Sequence, residues 1–465
     1  MNMIPIKAIK SPVNNVIKNI VTDEKEKTCI VVDTNIIMDD NEIMYRLMKE
    51  YDIIIFPLTT IKELDKHKFD KNKSYSARCA LRSIREFQLK YPEKIQFSTN
   101  TEEISDNDEK IINVAKQNNA VLATKDVSMG LIANTKGVET KIYDLMMNDI
   151  FNPYYYVEDT DLYNATNEDV FTFAQTYDDG DYDTLIKIFS DITKRTITKD
   201  SWIFILINVV GKSPIIYANN PIKKIIERID NVPKYRKISI DQHTSINALD
   251  EYQNCCVYAM VEAPNLLLCG SYGSGKSLLT TAYALANNEK KTYITRPNIG
   301  VDRRLELGFL PGHLDEKLFQ WQTGIMSSLY YIYSNTKNQT STKMQGGSTY
   351  DFVKEAIFKK YFEMMSLETI QGVSFLKSDL VLLDEVQLCS ISILSIILSR
   401  FGNGAKLIMT GDHKQAYEAI RPAESGLLKT LRVLPHRSLA YVELKYNYRS
   451  DLIEIANMLQ NKVIE

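Results

Sequence analysis

The chain has few cysteines and no long hydrophobic run. None of its 465 residues belongs to a stretch approaching the ~18 consecutive apolar residues that cross a membrane. Residues 1–10 alternate Ile with Lys and Pro, unlike the apolar block of a secretory leader. The six cysteines form no Cys-x-x-Cys pair, and most lie in apolar stretches such as 266–269. We therefore exclude the membrane and secreted classes, a disulfide framework and a zinc site, and we predict a cytoplasmic protein.

A strong excess of charge of either sign is also missing. The chain has 56 basic and 59 acidic residues, a net charge of −3, so any affinity for nucleic acid must come from local patches. Residues 62–85 contain eight basic and three acidic residues, which indicates either a solvated helix face or a phosphate-binding surface. Residues 151–183 contain nine acidic residues, six tyrosines and no Lys or Arg, which indicates a change of folding unit.

The length predicts roughly three folding units, at about 150 residues each. Short β-branched strands alternate with helices in two regions, which predicts an α/β fold with parallel sheets. We predict a parallel-sheet domain over 28–148, a small mixed connecting module over 151–237 and a second α/β domain over 238–465. The module contains a hairpin pattern at 202–210 and 214–218, and the polar stretch 334–349 predicts a surface insertion. Strands are predicted at 29–32, 53–56, 97–99, 121–124, 266–269, 292–295, 380–383 and 406–409.

A glycine-rich loop lies between the predicted strand at 266–269 and a predicted helix at 278–286. In such a loop, glycines let backbone N–H groups surround phosphates, and the helix N-terminus adds partial positive charge. Lys276 is spaced to reach the β and γ oxygens, and the Ser277 hydroxyl is spaced to bind Mg²⁺. The spacing predicts a nucleoside triphosphate site formed by Gly270, Ser271, Tyr272, Gly273, Ser274, Gly275, Lys276 and Ser277.

Acidic residues directly follow the predicted strand at 380–383. Asp384 is expected to hold Mg²⁺ through water, and Glu385 to orient or deprotonate the attacking water. Gln415, after the strand at 406–409, is a candidate sensor of the γ-phosphate. Gln253 is a candidate reader of the adenine edge.

Two arginines are candidates to stabilise the transferring phosphoryl group. Arg400 follows a predicted helix at 391–399, and Arg449 lies in a segment rich in tyrosine. Either residue could act in its own subunit or across a subunit interface. For each of them the alternative is an ordinary surface ion pair.

Residues 240–465 resemble the PhoH-like ATPase family, which has a single RecA-like core related to superfamily 1 helicases. The resemblance implies ATP binding and hydrolysis. It also ranks Arg449 above Arg400, because the Leu-x-x-Asn-Tyr-Arg-Ser ending is similar to the helicase segment whose arginine meets the γ-phosphate. The matching motifs are Thr295-Arg296-Pro297, the Gly-Phe-Leu-Pro-Gly block of 307–318 with Trp321 soon after, Asp384-Glu385-Val386-Gln387, Arg400-Phe401-Gly402 and Thr410-Gly411-Asp412.

Acidic residues also stand at strand ends and helix starts in the N-terminal domain. Converging carboxylates repel one another and are tolerated where they hold a divalent metal, as in metal-dependent nucleases. For any one of these residues, the alternative is an ordinary solvated acid. The acidic positions are Asp33, Glu63, Asp106 with Asp108, and Asp126.

In their contexts, these acids resemble the PIN nuclease family over about residues 28–148. The resemblance rests on the strand-Asp-x-Asn opening, Glu-Leu-Asp-Lys-His-Lys, Asn-Asp-x-x-Ile-Ile and Leu-Ala-Thr-Lys-Asp. Carried over by position, it implies that Asn35 and Thr124 are supporting hydrogen-bonding residues. It implies metal ligands at Asp33, Glu63, Asp108 and Asp126, with Asp106 as the competitor for the third place.

Together, the two resemblances imply an ATP-dependent RNA helicase or translocase coupled to metal-dependent endoribonuclease cleavage. The expected cofactors are ATP and Mg²⁺ or Mn²⁺. The expected partner is RNA, either single-stranded or a tailed duplex, with DNA as the alternative, and no membrane is expected. Family relatives suggest a homo-oligomer in the form of a hexameric ring. Two other functions stay open: an ATP-gated nucleic-acid remodeller whose acids are structural, and a regulatory ATP-binding protein without nuclease activity.

Overall fold

The computed structural model describes residues 27–40, 43–70, 73–99, 104–143, 150–177, 181–287, 289, 292–297, 323–334, 353–415, 420 and 422–449. The chain divides into two compact units, Met1–Leu145 and Met146–Glu465. In the described part of the chain, no helix is long and apolar enough to cross a bilayer. The start at 1–10, the motif block 307–318 with Trp321, and 335–349 of the predicted insertion lie outside the described residues.

The first unit contains a parallel sheet. Its strands are β1 (Cys29–Val32), β2 (Ile53–Pro57), β3 (Ile95–Ser98), β4 (Val121–Thr124) and β5 (Thr140–Ile142). They form a five-stranded sheet in the order β3-β2-β1-β4-β5, and every pair is parallel. Ile30, Val31 and Val32 are fully buried, as expected for a central strand covered on both faces.

Helices connect the strands of this sheet. They are α1 (Thr34–Asp39), α2 (Ile43–Glu50), α3 (Leu58–His67), α4 (Ser74–Lys90), α5 (Asn107–Gln117) and α6 (Val127–Thr135). Because α1, α3 and α6 begin directly after β1, β2 and β4, their first residues lie at one edge of the sheet.

The second unit also contains a parallel sheet. Its strands are β12 (Leu266–Gly270), β13 (Thr292–Thr295), β14 (Phe362–Met364), β15 (Leu380–Leu383), β16 (Lys406–Gly411) and β17 (Ala440–Leu444). The order is β14-β13-β15-β16-β12-β17, and every pair is parallel. The described helices around it are α11 (Glu251–Glu262), α12 (Lys276–Ala286), α13 (Thr323–Ser334), α14 (Lys359–Tyr361), α15 (Leu367–Ile370), α16 (Ile391–Leu398) and α17 (Gly426–Val433).

The segment before α11 forms a smaller mixed sheet. Its strands are β6 (Tyr154–Glu158), β7 (Ile203–Asn208), β8 (Ile215–Asn220) and β9 (Ile225–Arg228), with β6 parallel to β7 and the other pairs antiparallel. Its helices are α7 (Asp159–Thr166), α8 (Val170–Thr176), α9 (Tyr182–Thr193) and α10 (Pro233–Arg236). A short antiparallel pair follows, β10 (Lys237–Ser239) with β11 (Ser245–Asn247).

The two sheets of the second unit share one hydrophobic core. Tyr154, Trp202 and Phe204 of the mixed sheet pack in the same buried cluster as Tyr252 and Tyr258 of α11. Residues on the other face of the mixed sheet pack in a separate cluster with α7 to α9. The segment 151–237 therefore belongs to the compact second unit, and its boundaries as a separate module stay a prediction.

Most predicted strands agree with the structure to within two or three residues. The α/β class with parallel sheets is confirmed, and the hairpin pattern corresponds to β7 and β8. The sequence analysis missed several strands, which are β5, β6, β9, β10, β11, β14 and β17. Apart from β17, with five residues, and β6, which is rich in tyrosine, these strands have three or four residues, too few to show a periodic pattern.

Candidate functional sites

The acidic residues of the first unit converge at the carboxyl edge of its sheet. Asp33 directly follows β1 and is only 3% exposed. The Thr124 hydroxyl, at the end of the neighbouring strand β4, donates to Asp33 Oδ2 at 3.1 Å. The same Thr124 oxygen accepts from the backbone N–H of Asp126 at 3.0 Å. Thr124 therefore links two of the predicted acids through one hydroxyl.

Glu63 reaches this edge from α3. Its Oε2 accepts from the Thr34 hydroxyl at 2.5 Å, and its Oε1 accepts from Asn107 Nδ2 at 2.7 Å. Thr34 begins α1 and Asn107 begins α5, so the Glu63 carboxylate joins three helices. The sequence analysis assigned no role to Thr34 or Asn107, although each directly adjoins a predicted acid.

The electrostatics of the edge reflect this convergence. Burial raises the pKa of Asp33 to about 6, and the charges of Asp108 and Glu63 add to the increase. Burial also raises the pKa of Asp108, with further contributions from Asp106, Glu63 and Asp126. The acids are therefore close enough to interact electrostatically with one another. Within the described ranges, however, no three His, Cys, Asp or Glu side chains stand close enough to hold a metal ion.

Asp106 and Asn35 are the two other candidate residues of the acidic edge. Asp106 is the N-cap of α5, where its Oδ2 accepts from the Glu109 N–H at 3.0 Å, whereas Asp108 lies in the first turn and interacts with the other acids. Asn35 was expected to be a supporting hydrogen-bonding residue. In the structure it is exposed on α1, and the neighbouring Thr34 forms the hydrogen bond to Glu63. A one-residue step along a helix turns a side chain by about 100°, so Asn35 points in a different direction from Thr34, and its supporting role stays a prediction.

Exposed basic side chains lie on α3 and α4 of the same unit. Lys62 and Lys66 are on the helix that carries Glu63. Lys71 of the basic run lies outside the described residues. The exposed members are Lys62, Lys66, Arg78, Arg82 and Arg85.

The glycine-rich loop of the second unit joins β12 to α12 in a conformation that requires glycine. Gly273 and Gly275 have φ angles of +77° and +97°, in the left-handed region that residues with a Cβ avoid. A Cβ on Gly273 would lie 2.5 Å from Asn447 Oδ1 and 2.8 Å from Arg449 Cγ. The loop is therefore both left-handed and closely covered by the segment that follows β17.

Lys276 points back into this loop. Its Nζ donates to the carbonyl oxygens of Gly270 at 2.6 Å and Ser271 at 2.9 Å. Burial lowers the pKa of Lys276, and the negative charge of Asp412 is the largest of the influences that raise it. The lysine thus lies beside the loop where phosphate oxygens are expected.

One cavity of about 1110 Å³ brings the predicted nucleotide-binding residues together. Asp384 and Glu385 reach it from the end of β15, and Gln415 from the loop after β16. The lining residues among those predicted are Gln253, Tyr272, Gly273, Gly275, Lys276, Ser277, Asp384, Glu385, Gln415 and Arg449.

Asp384 and Glu385 have different surroundings. Asp384 Oδ1 accepts hydrogen bonds from the Thr410 hydroxyl and from the Glu385 N–H at 3.0 Å. Glu385 has a φ of +56°. Burial, followed by the charge of Asp384, raises the pKa of Glu385, while the nearby Arg296 guanidinium lowers it. Glu385 is therefore more basic than an ordinary glutamate.

A chain of amides connects Glu385 to the loop after β16. Gln387 Nε2 donates to Glu385 Oε2 and, at 3.3 Å, to Gln415 Oε1. Gln415 Nε2 donates to Asp412 Oδ2 at 2.9 Å, and the Tyr272 hydroxyl donates to Gln415 Oε1 at 3.0 Å. The sequence analysis assigned no role to Gln387 or Asp412. The signal that could have found them is their place in two of the motifs that resemble the PhoH-like ATPase family.

The two candidate arginines lie in different places. Arg449 lines the cavity beside Gly273. Arg400 follows α16 and is not among the described residues that line the cavity. Within one copy of the chain, only Arg449 of the two is therefore near the glycine-rich loop.

Gln253 supports this loop from α11. It is 3% exposed, its Oε1 accepts from the Leu249 N–H at 3.0 Å, and its Nε2 donates to the Ser274 carbonyl at 3.1 Å. One of its amide hydrogens remains for another acceptor, so the contact with adenine stays a prediction.

Family models match both units. The model described as PIN domain matches residues 30–144, and the model described as PhoH-like protein matches residues 245–456. The chain combines a PIN domain with a PhoH-like domain. The acidic edge lies within the PIN domain, and the cavity with its glycine-rich loop is formed mainly by the PhoH-like domain.

Curated relatives carry the same family name. The chain is 27% identical over 159 residues to protein PhoH2 of Bacillus subtilis, covering 33% of each protein. It is 25% identical over 202 residues to protein PhoH2 of Mycolicibacterium smegmatis, covering 42% of each. A PhoH-like protein of Bacillus subtilis is 30% identical over 162 residues, which are 34% of this chain and 45% of that protein. The matches thus span between a third and a half of these relatives.

Proposed function

We propose that the PhoH-like domain hydrolyses ATP and uses the energy to move or unwind RNA, while the PIN domain cuts that RNA. The proposal depends mainly on one observation. A single cavity is lined by the glycine-rich loop with Lys276, by Asp384 and Glu385 at a strand end, and by Arg449. These are the residue types that phosphoryl transfer from a nucleotide requires.

The cavity fits a nucleotide with Mg²⁺. Gly273 and Gly275 leave a cradle that a Cβ would strain or fill, and Lys276 Nζ already bonds to oxygens of the loop. Ser277 and Asp384 are the residues that would hold the metal. Bound Mg²⁺ would neutralise charge on the β- and γ-phosphates.

Glu385 and Arg449 have separate roles in this proposal. The raised pKa of Glu385 makes it a better base for a water beside the γ-phosphate, and Gln387 orients its carboxylate through Oε2. Gln415 would sense the γ-phosphate, and Arg449 would stabilise the charge of the transferring group. Arg400 stays a candidate to act on a neighbouring subunit in a homo-oligomeric ring.

The acidic edge of the PIN domain fits a divalent cation in the chemistry of its donors. The pKa of the buried Asp33 is raised partly by neighbouring negative charges, and a cation beside it would stabilise its ionised form. Asp33, Glu63, Asp108 and Asp126 are the proposed ligands of Mg²⁺ or Mn²⁺. Such a metal supplies a Lewis acid that activates water for cleavage.

The basic side chains of α3 and α4 support RNA, or alternatively DNA, as the partner. Lys62 and Lys66 lie on the helix that carries Glu63, where a phosphate backbone approaching the acids would otherwise be repelled. A narrow acidic site attacks single strands more readily than a stiff duplex. A motor that separates strands would therefore supply the nuclease with substrate. A purely regulatory ATP-binding protein would not need this basic surface.

A second function, ATP-gated remodelling of nucleic acid without cleavage, is favoured by one observation. Within the described ranges, no three acidic side chains of the PIN domain stand close enough to hold a metal. In this alternative, the acids are structural and brace the helices α1, α3 and α5 through Glu63.

The proposal is tested with an end-labelled RNA duplex that carries a single-stranded tail, in Mg²⁺ or Mn²⁺, with and without ATP. We expect the wild type to hydrolyse ATP, separate the strands and cut the RNA. Asp33→Asn should abolish cutting and retain ATP hydrolysis, while Lys276→Ala should abolish ATP hydrolysis and strand separation. Asp65→Asn on α3 and Lys187→Ala on α9 are matched exposed controls that should behave as the wild type.

Two results would decide between the alternatives. Wild-type protein that hydrolyses ATP and leaves the RNA whole with both metals is a remodeller, and the nuclease proposal is then wrong. Cutting that persists in Asp33→Asn would point to a contaminating nuclease and would leave the acidic edge without support.

A further inference from the structure

The mixed sheet of the second unit is bonded to the strand that precedes Arg449. Tyr154, the first residue of β6, is fully buried. Its hydroxyl donates to the carbonyl of Glu443 in β17 at 2.8 Å and accepts from the Glu443 N–H at 3.2 Å. One side chain therefore holds both backbone groups of a residue near the end of β17.

Two residues further along, Lys445 enters a group of aromatic rings that we call the tyrosine cage, formed by Tyr154, Tyr156 and Tyr252. Lys445 Nζ lies 5.4 Å, 5.5 Å and 5.6 Å from the centroids of these three rings. It donates to the Tyr156 hydroxyl at 3.1 Å, and that hydroxyl lies 3.0 Å from the Tyr252 hydroxyl. A cation within about 6 Å of several ring faces is held by their combined electrostatic attraction.

The chain between Lys445 and Arg449 crosses the glycine-rich loop. Asn447 Nδ2 donates to the Tyr272 carbonyl at 2.6 Å, and the Tyr448 N–H donates to the Gly273 carbonyl at 3.0 Å. The Arg449 N–H donates to Asn447 Oδ1 at 2.9 Å. This segment has no helix or strand of its own, so its path depends on these hydrogen bonds and on the contacts of Lys445.

We propose that the tyrosine cage is a positioning device for the nucleotide site: by holding Lys445, it sets the path of the segment that presents Arg449 over the glycine-rich loop. The cage fixes the near end of the segment, and the bonds of Asn447 and Tyr448 fix the far end. The mixed sheet thereby takes part in ATP hydrolysis without contacting the nucleotide. The inference rests on the proposed role of Arg449 in hydrolysis.

The test compares kcat and KM for ATP in full-length variants. Lys445→Met keeps the side-chain length and removes the charge, and we expect kcat to fall about 10-fold with KM changed less than about 2-fold, since misplacing a catalytic group lowers the rate more than binding. Lys445→Arg keeps a cation over the rings and should restore most of the rate. Tyr163→Phe, at an exposed tyrosine of α7, is the control and should match the wild type.

A double variant separates positioning from general destabilisation. Arg449→Ala alone should lower kcat more than Lys445→Met does. Because a positioning residue has nothing left to position, adding Lys445→Met to Arg449→Ala should cause no further loss. Losses that multiply in the double variant would show that Lys445 acts independently of Arg449 and would overturn the inference.

The remaining outcomes are also distinct. Wild-type kcat in Lys445→Met, together with a strong defect in Arg449→Ala, overturns the positioning role and leaves the ATPase proposal intact. Wild-type kcat in Arg449→Ala contradicts the proposed role of Arg449 and overturns the inference with it, whereas no ATP hydrolysis by the wild type contradicts the proposed function itself. If Lys445→Met fails to fold, Tyr156→Phe replaces it; this variant keeps the ring, removes the acceptor of Lys445, and must lower kcat for the inference to hold.

Discussion

Asp33 is the residue on which the acidic edge of the PIN domain most depends. It is 3% exposed, and burial is the main cause of its raised pKa of about 6. The folded state therefore holds the proton more tightly than the unfolded chain does. The tighter binding of this proton stabilises the fold below about pH 4, and the stabilisation is lost as the pH rises through about 6. At neutral pH without a cation, the buried negative charge of Asp33 lowers the stability of the fold.

Asp33→Asn should consequently stabilise the PIN domain at pH 7 in the absence of metal. The raised pKa of Asp33, about 6, limits this gain in the free energy of unfolding to at most about 3 kcal/mol. We expect slower hydrogen–deuterium exchange in peptides from β1, after correction for intrinsic rates, and little difference from the wild type at pH 4. The side-chain oxygen of asparagine can still accept the hydrogen bond that the Thr34 N–H donates to Asp33 Oδ1.

Asp65→Asn is the control for this experiment. The side chain of Asp65 is 61% exposed and pairs with Lys68 on the surface. Such a pair contributes at most about 1 kcal/mol, so its loss should leave β1 exchange nearly unchanged. Faster exchange in Asp33→Asn than in the wild type at pH 7 would contradict the assignment of burial as the main effect.

At the scale of elements, α11 connects the nucleotide cavity with the mixed sheet. Its N-cap, Asp250, accepts from the Gln253 N–H at 2.7 Å and from the Tyr448 hydroxyl. Gln253 in the first turn donates to the Ser274 carbonyl of the glycine-rich loop. The beginning of this helix therefore bonds both to the glycine-rich loop and to the segment that carries Arg449.

Asp250→Ala should weaken both supports. Loss of an N-cap costs about 1 kcal/mol, and loss of the Tyr448 partner loosens the segment that covers Gly273. We expect the affinity for a fluorescent ATP analogue to fall several-fold, measured by titration with the full chain.

Asp169→Ala is a matched variant. Asp169 caps α8 through the Phe171 and Thr172 N–H groups, and it lies outside the cavity lining. It should lower thermal stability and leave nucleotide affinity at the wild-type value. Equal loss of affinity in both variants would mean that general destabilisation, and not the position of α11, controls the site.

At the scale of the whole molecule, the six-stranded sheet and the mixed sheet of the second unit share one buried cluster. Trp202 and Phe204 pack with Tyr258 of α11 in one buried cluster, and the Trp202 Nε1–H donates to the Arg437 carbonyl at 2.8 Å. A cut between residues 237 and 238 would expose this apolar surface to water.

We therefore expect a chain of residues 238–465 to aggregate, because contiguous apolar surface of this kind promotes association. A chain of residues 146–465 should be monodisperse or form a defined oligomer and should unfold cooperatively. Size-exclusion chromatography with thermal melting checks both. A well-folded 238–465 fragment would instead support the predicted boundary of a separate module.

Much of the fold was predictable because its signals are local. The runs at 266–269 and 380–383 are apolar, and the residues that follow them have the spacing of a phosphate site, so strand, loop and helix could be assigned without knowing what surrounds them. Strand β17 was missed, although it has five residues, and β5 has only three. Both strands are defined by pairing with distant neighbours, which a local pattern does not contain.

By itself, the sequence determined the α/β class and the candidate positions for chemistry, because residue type and spacing decide which backbone can carry a phosphate loop or a row of strand-end acids. Tertiary structure decided which of these residues meet. It separated Arg449 from Arg400, joined Glu63 to Thr34 by a hydrogen bond, and joined 151–237 to the core of the PhoH-like domain. These outcomes depend on contacts between residues far apart in the sequence, such as Tyr154 with Glu443, which are 289 positions apart. Only packing brings such residues within a few ångströms of one another.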